Sequence, residues 1–254
     1  MTLLSLQGVT RRFGGLVAVD AIDLEVAEGG VTAVIGPNGA GKTTLFNLIS
    51  GFQIPNDGRI VFAGEDITAH PPETIAAAGL VRTFQLVQLF QNLSVLENIQ
   101  VGCHLHSSGG VTSALLRLSR TRQAEREIET RARELLDFVG LEATADTEAS
   151  ALAYGQQRLL EIARSLAARP RLLLLDEPAA GLSADETRRL SAAIRSIAER
   201  GTTVLLIEHD MKLVMNTADA IAVLDFGRKI AEGPPATVRE DPAVIAAYLG
   251  GGHA

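Results

Sequence analysis

Apolar residues along this chain fall into short continuous runs and longer segments with helical spacing. Four continuous runs, at residues 31–35, 172–175, 203–207 and 220–224, are typical of strands that are buried on both faces of a sheet. A segment with helical spacing separates the second of these runs from the third. Strands that alternate with helices form parallel sheets with right-handed crossovers. The pattern therefore predicts an α/β fold with a parallel core sheet.

Three further segments near the N-terminus predict a second, antiparallel layer. Residues 3–9 and 17–26 alternate between apolar and polar positions, and a turn-forming stretch at residues 11–15 separates them. Residues 59–62 form another short strand-like run. Because these segments flank the run at 31–35 in the sequence, we expect a small antiparallel β layer beside the core sheet.

Several helix boundaries are marked by residues that favour helix ends. Pro72 is placed to begin a short alanine-rich helix, and Asp241 is placed to cap the last helix of the chain. Ser183 and Glu186 have the spacing of a capping box, and the helix they predict stops at Gly201.

Residues 87–168 contain no strand-like run and carry apolar positions at helical spacing instead. Glu127 precedes Arg131 by four positions, and Glu129 precedes Arg133 by the same interval. This spacing supports an exposed helix through ion pairs along its surface. We therefore predict a helical insertion here.

The composition narrows the class of protein. The chain has 254 residues, 46% of them hydrophobic, and a net charge of −7, so no basic field favours nucleic acid or an anionic membrane surface. One cysteine, Cys103, excludes an intrachain disulfide and favours a reducing compartment. No window approaches the roughly 18 uninterrupted apolar residues of a transmembrane helix, and the N-terminus lacks the order of a signal peptide. We expect an intracellular protein that meets a membrane only through a partner.

A glycine-rich loop joins the run at 31–35 to a helical pattern that stops at Gly51. The loop has the form G-x-x-x-x-G-K-[ST], a phosphate-binding loop when it lies between a strand and a helix. Its backbone N–H groups can point at an anion, and the helix N-terminus adds positive potential. Lys42 can reach the β- and γ-phosphates of a nucleotide, and the Thr43 hydroxyl can bind Mg²⁺. The predicted nucleotide contacts are Gly36, Pro37, Asn38, Gly39, Ala40, Gly41, Lys42, Thr43 and Thr44.

A pair of carboxylates supplies the remaining chemistry that such a loop needs. Asp176 and Glu177 follow the buried run at 172–175, at the strand end where α/β sheets place ligand groups. We predict that Asp176 supports the Mg²⁺ ion and that Glu177 polarises the attacking water.

Together with four other motifs, this set of residues resembles the ATP-binding subunit of an ATP-binding cassette (ABC) transporter over nearly the whole chain. The other motifs are Phe13, the stretch 81–85 (VRTFQ), the stretch 152–157 (LAYGQQ) and the stretch 206–210 (LIEHD). The resemblance implies ATP and Mg²⁺ as cofactors, ATP hydrolysis as the reaction, and a P-loop NTPase fold with a RecA-like parallel sheet core, a small antiparallel β layer and a helical subdomain.

The resemblance also implies a division of the chain. Residues 1–254 would form a single ABC ATPase domain. The nucleotide-binding core and antiparallel layer would comprise residues 1–86 and 169–254, and the helical signature subdomain would comprise residues 87–168.

Three roles follow from matching positions. Gln85 corresponds to the glutamine that senses Mg²⁺ and water in the family and that links to the transmembrane partner; the alternative is an ordinary polar residue at a strand end. His209 corresponds to the switch histidine, which would contact the γ-phosphate and hold Glu177 and the water in place. Phe13 matches the aromatic residue that stacks on adenine, with core packing as the alternative.

The stretch 152–157 corresponds to the family's signature motif, usually Leu-Ser-Gly-Gly-Gln, and the contacts it implies are made by Ala153, Tyr154, Gly155 and Gln156. Ala153 lacks the hydroxyl of the usual serine, and Tyr154 replaces a glycine. A helix N-terminus beside a glycine is an anion site. Because the chain already has one phosphate loop, this second site is best used on the ATP of another ABC ATPase subunit, a copy of this chain or a paralogue. In the following loop, Ser183 stands where the family commonly carries Asp; the capping box explains it, and we assign it no catalytic role.

Within the family, the stretches 82–85, 152–158, 207–215 and 241–250 resemble importers for branched-chain and other hydrophobic amino acids. The resemblance implies transmembrane permease subunits as partners, a substrate-binding protein acting through them, no nucleic acid, and a peripheral position at the cytoplasmic face of the inner membrane. One alternative is an importer for another small solute, such as urea or amides. The other is a soluble ABC ATPase that acts on ribosomes or in DNA repair.

Overall fold

The computed structural model describes residues 1–103 and 118–250. Contacts within the chain divide it into two compact units. The first combines Met1–Gln85 with Arg171–Ala254, and the second is Leu86–Pro170.

A six-stranded sheet forms the centre of the first unit. Its strands lie in the order β10-β9-β3-β8-β7-β6. Five of them run parallel, and β10 pairs antiparallel with β9. The strand bounds are β3 Val31–Ile35, β6 Leu80–Arg82, β7 Leu172–Asp176, β8 Thr203–Ile207, β9 Ala220–Asp225 and β10 Arg228–Gly233.

Every residue of β3, β7 and β8 is buried, as the continuous apolar runs of these strands predict.

A four-stranded antiparallel sheet in the order β2-β1-β4-β5 forms the other layer of this unit. One apolar core joins residues of both sheets. The strand bounds are β1 Thr2–Phe13, β2 Leu16–Ala27, β4 Asp57–Phe62 and β5 Glu65–Asp66. An antiparallel β layer is therefore present beside the parallel sheet, as the N-terminal alternation predicts.

The turn between the first two strands is shorter than the sequence predicts. Residues 11–15 were expected to form the turn, but β1 continues to Phe13, which pairs with Leu16. Only Gly14 and Gly15 turn the chain, and Gly14 has a φ of 57°. Because glycine adopts this conformation without steric cost, two residues suffice. Phe13 therefore lies at a strand end.

Helices connect the strands of the first unit, and their bounds are α1 Lys42–Ile49, α2 Pro72–Ala77, α6 Ala184–Glu199, α7 Met211–Thr217, α8 Pro235–Glu240 and α9 Pro242–Gly250. The second unit contains α3 Val95–Cys103, α4 Leu118–Val139 and α5 Tyr154–Ala167.

In α4, Arg133 pairs with Glu129 at 2.9 Å as predicted, whereas Arg131 pairs with Glu134. Residues 104–117, which the helical prediction also covers, lie outside the described residues.

The capping box at the start of α6 is present. The Ser183 hydroxyl accepts a hydrogen bond from the Glu186 N–H, and the Glu186 carboxylate accepts from the Ser183 N–H at 2.8 Å. These contacts satisfy backbone donors that the helix itself leaves unpaired.

Replacing Ser183 with alanine should therefore lower the free energy of unfolding by about 1 kcal/mol, because the first turn loses its acceptor. Urea denaturation measures this change. Ser183→Thr is the control, since it keeps the hydroxyl and should recover most of the loss. ATP turnover should be unchanged in both variants, and a large loss of turnover with normal stability would assign Ser183 a chemical role instead.

Candidate functional site

The loop between β3 and α1 has a conformation that two of its glycines make possible. Gly36 has a φ of 150°, and a Cβ atom there would lie 2.1 Å from the Leu224 carbonyl oxygen. Gly41 has a φ of 98°, and a Cβ atom there would lie 2.3 Å from the Ala18 carbonyl oxygen. Both contacts are with backbone atoms, so neither neighbour can move aside. The loop therefore requires glycine at both glycine positions of the G-x-x-x-x-G-K-[ST] pattern, Gly36 and Gly41.

The start of α1 offers donors to an anion. Gly41 is the cap residue and supplies no side-chain acceptor. The first N–H groups of a helix have no partner within the helix, and the macrodipole makes this end positive. Thr43 and Thr44 lie in this first turn. A phosphate group is the chemistry that such a helix start accommodates.

Lys42 is folded back over the loop that precedes it. Its ammonium group donates to the carbonyl oxygens of Gly36 at 2.7 Å and Pro37 at 2.8 Å. Burial lowers the pKa of Lys42, while the nearby carboxylates of Glu177 and Asp176 raise it. The side chain thus places a cation beside the loop, held by oxygens of the loop and attracted by two carboxylates.

A cavity of about 580 Å³ opens over this loop. The sequence-predicted residues that line it include Phe13, most of the glycine loop and Glu177. Phe13 is 42% exposed, and the guanidinium of Arg11 lies 4.7 Å from its ring centre. The side chain is therefore at the cavity wall and not in the core. Four residues that the sequence did not single out also line the cavity: Leu16, Val17, Ala18 and Phe226.

The two predicted carboxylates lie at the end of β7. Asp176 is its last residue and is 4% exposed. Glu177 follows with a φ of 45°, a conformation that costs energy for a residue with a Cβ atom and that is concentrated at functional sites. Its N–H is fixed by the Ile207 carbonyl at 3.0 Å. The hydrogen bond to β8 thus fixes the backbone of Glu177, and the residue lines the cavity.

Gln85 and His209 both approach Glu177. The Gln85 amide donates to Glu177 Oε2 at 3.1 Å. His209 Nδ1 lies 3.7 Å from the same oxygen, and the imidazole is 60% exposed. Two residues predicted from separate parts of the sequence therefore converge on one carboxylate oxygen of Glu177, the predicted water-activating residue.

Glu208 was not predicted to contribute, yet its carboxylate organises this edge of the site. It is completely buried, and it accepts from the N–H groups of Ala179 at 2.8 Å and His209 at 3.0 Å. Burial raises the pKa of Glu208, and the backbone N–H donors oppose that shift. The signal in the sequence is an acidic residue at the end of an otherwise apolar strand, which is costly unless it is hydrogen-bonded.

The residues of the predicted signature motif lie in the second unit, at the start of α5. Ala153 is the cap residue, and its N–H donates to the Gln156 side chain at 3.2 Å. The Tyr154 hydroxyl accepts from buried Arg158 at 3.4 Å, and Gly155 is buried beside it. Tyr154 is therefore tied to its own helix, and the helix start carries no side-chain cap.

Comparison with known proteins places the whole chain among homologues. The family described as "ABC transporter" matches residues 19–180, and the family described as "Branched-chain amino acid ATP-binding cassette transporter" matches residues 228–254.

The chain is 48% identical to the high-affinity branched-chain amino acid transport ATP-binding protein BraF of Pseudomonas aeruginosa, over 98% of both chains. It is 46% identical to LivG of Escherichia coli, which has the same description, again over 98% of both chains. Among solved structures, the ADP conformation of an ATP-binding cassette from an ABC transporter superposes with a TM-score of 0.86 at 34% identity, covering 98% of this chain and 99% of that one.

Proposed function

This chain belongs to the ABC transporter family of ATP-binding proteins, and from that premise we propose that it is the ATP-hydrolysing subunit of an importer for branched-chain amino acids. The near full-length similarity to BraF and LivG, both described as branched-chain amino acid transport ATP-binding proteins, carries this proposal. The match of residues 228–254 to the branched-chain group supports it independently of the nucleotide-binding motifs. The α/β fold predicted from the sequence agrees with that of the solved cassettes.

ATP is the nucleotide that the loop from Gly36 to Thr44 would hold. The β- and γ-phosphates would lie against the first turn of α1, with Lys42 as their cation. The base would lie at the Phe13 end of the cavity, where one ring face is covered by Arg11. The cavity volume of about 580 Å³ is in the range of small-molecule sites.

Mg²⁺ would be held by Thr43, Asp176 and Gln85, and when bound it neutralises charge on the phosphates. The described residues contain no group of three or more His, Cys, Asp or Glu side chains that could hold a metal by themselves. That fits this ion, because Mg²⁺ usually takes one or two protein carboxylates and completes its shell with phosphate oxygens and water. Asp176 suits the role, since one of its oxygens is engaged by Arg82 and the other is left for the ion or its water.

Hydrolysis would depend on Glu177. Its carboxylate can accept a proton from the attacking water, while Gln85 and His209 fix the oxygen that they both approach. The strained backbone at Glu177 and the bond from its N–H to Ile207 hold this geometry before substrate arrives.

A second ABC ATPase subunit would complete the site. The uncapped start of α5, with Gly155 in its first turn, has the character of a second anion site. Ala153 has no hydroxyl, and the Tyr154 hydroxyl accepts a hydrogen bond from Arg158. Backbone N–H groups near Gly155 would therefore contact the γ-phosphate of the partner's ATP. The partner would be a copy of this chain or a paralogue.

The chain would bind the membrane through transmembrane permease subunits. Among the described residues, no helix has the length and apolar composition needed to cross a bilayer. By similarity to the transport ATP-binding proteins, the chain would lie at the cytoplasmic face of the inner membrane, bound to those permeases, and a substrate-binding protein would deliver the amino acid to them. Import of another small solute, such as urea or an amide, is the alternative within the family.

Uptake by whole cells tests the transported solute. Deleting the gene should abolish uptake of labelled leucine driven by this system, and returning the intact chain should restore it. A Lys42→Ala chain should be expressed and fail to restore uptake, because transport needs bound ATP. If the deletion instead abolishes urea or amide uptake and leaves leucine uptake intact, the assignment of the solute is wrong.

A further inference from the structure

Arg82 is a buried cation that directly contacts the predicted metal ligand. Its Nη2 atom donates to Asp176 Oδ2 at 2.8 Å, and both side chains are 6% exposed. Sequence reasoning gave Arg82 no role of its own, since it entered only as part of the stretch that leads to Gln85. A carboxylate and a guanidinium this deeply buried are normally held in a single geometry, because separating them would leave each charge unsolvated.

The other terminal nitrogen of Arg82 binds the helix that follows the phosphate loop. Nη1 donates to Asn47 Oδ1 at 2.8 Å and to Ser50 Oγ at 3.0 Å. Both residues lie at the end of α1, whose first residue is Lys42. Arg82 thus joins the end of β7 to the helix that begins at the phosphate loop, and its planar fork makes both contacts at once.

Three aromatic rings surround the guanidinium. Its central carbon lies 5.7 Å from the ring centre of Phe46, 5.8 Å from that of Phe52 and 5.2 Å from that of Phe84. Phe52 and Phe84 also meet edge to face, with their ring centres 5.6 Å apart. Contacts at these distances stabilise a cation and restrict its position. Hydrogen bonds from both terminal nitrogens and the three ring contacts therefore restrict the position of the guanidinium beside Asp176.

We propose that Arg82 is the positioning residue for Asp176 and that it holds this carboxylate in the orientation in which its second oxygen serves Mg²⁺, a role that rests on the proposed metal site. Loss of a partner that orients a metal ligand typically lowers the affinity for the metal roughly 10- to 100-fold. Without Arg82, Asp176 would be a buried carboxylate that turns toward the next cation, and Lys42 is close enough to attract it. The ion would then lose a correctly placed ligand, while Lys42 stays bound to the carbonyl oxygens of Gly36 and Pro37.

The positive charge of Arg82 also has an effect of the opposite sign on the affinity for Mg²⁺, so the direction of the measured change distinguishes the two effects. A positive charge beside the carboxylate repels a dication, so removing it could strengthen metal binding. The guanidinium charge is delocalised and shared with three aromatic faces, which weakens this repulsion. We therefore expect the loss of orientation to dominate and the affinity for the ion to fall.

Binding of Mn²⁺ in the presence of saturating ADP, followed by electron paramagnetic resonance, measures this affinity without turnover. Arg82→Met should weaken Mn²⁺ binding roughly 10- to 100-fold while ADP binding without metal stays unchanged. Arg82→Lys keeps the positive charge but loses the planar guanidinium, so its affinity for Mn²⁺ should lie between those of the parent chain and Arg82→Met. Arg59→Met is the matched control, because Arg59 pairs with Asp66 on the surface and should leave Mn²⁺ binding unchanged.

A double-mutant cycle separates failure of this role from failure of the metal site. Asp176→Asn alone should weaken Mn²⁺ binding, and adding Arg82→Met to it should cause no further loss, because Arg82 acts through Asp176. The double variant also removes both buried charges, so it should fold even if Arg82→Met alone does not. Unchanged or tighter Mn²⁺ binding in Arg82→Met, or an additive loss in the double variant, overturns the positioning role. No loss in Asp176→Asn instead overturns the proposed metal site.

Discussion

Glu177→Gln should bind ATP and hydrolyse it roughly 10²- to 10⁴-fold more slowly than the parent chain. The amide keeps the size of the side chain and can still accept the hydrogen bond from Gln85, but it cannot take a proton from water. None of the proposed contacts with the phosphates is made by the Glu177 side chain, so ATP affinity should be preserved. Release of inorganic phosphate in single-turnover experiments measures the rate, and binding of a fluorescent ATP analogue measures the affinity.

Glu199→Gln provides the control for this substitution. Glu199 is exposed at the end of α6, so the same chemical change there should leave both quantities unaltered. Turnover at the parent rate in Glu177→Gln would exclude Glu177 as the group that activates water. A loss of ATP affinity would place Glu177 among the groups that bind the nucleotide.

Lys42→Ala should lose both ATP binding and turnover, with turnover reduced on the order of 10²- to 10³-fold at saturating ATP. Alanine removes the cation for the phosphates, and it also leaves the carbonyl oxygens of Gly36 and Pro37 without their donor. Lys42→Ala should lose ATP binding and Glu177→Gln should keep it, because the two residues have different positions. Lys42 lies against the loop that would bind the phosphates, whereas Glu177 lies where the attacking water would bind. Titration of ATP against the variant, followed by calorimetry, checks the first effect.

Lys212→Ala is the matched control, since Lys212 is an exposed lysine on α7. It should bind ATP as the parent does. If Lys42→Ala binds ATP with the parent affinity, the loop is a structural turn and not the phosphate site.

The core of the fold follows from the sequence because its strands are continuous apolar runs. β7 and β8 are buried at every position, and such runs have few other stable arrangements. β6 and β10 were not predicted. β6 has only three residues, and β10 reads Arg-Lys-Ile-Ala-Glu-Gly, a polar sequence that becomes a strand only by pairing with β9. Pairing partners are not visible in local periodicity.

The residues of the site likewise divide into those that the sequence predicts and those that it does not. The glycine loop and the Asp176–Glu177 pair have a local sequence signature, so spacing alone predicts them. Arg82 and Glu208 have none, since each takes its role from residues far away in the chain: Arg82 from Asp176, and Glu208 from the N–H of Ala179. The clue that the sequence offers for such partners is a charged residue at the end of an apolar run, since Arg82 ends β6 and Glu208 follows β8.

We propose that ATP joins two subunits, each of which brings a phosphate loop and the start of an α5 helix. The most direct test is the mass of Glu177→Gln in sedimentation equilibrium with ATP and with ADP, because slow hydrolysis preserves the ATP-bound state. We expect about twice the 26.9 kDa of one chain with ATP and the mass of one chain with ADP. Gly155→Asp in the same background should have the mass of one chain with both nucleotides, because its carboxylate repels the partner's phosphate. A single-chain mass for Glu177→Gln with saturating ATP, or a Gly155→Asp variant that dimerises as readily, would contradict it.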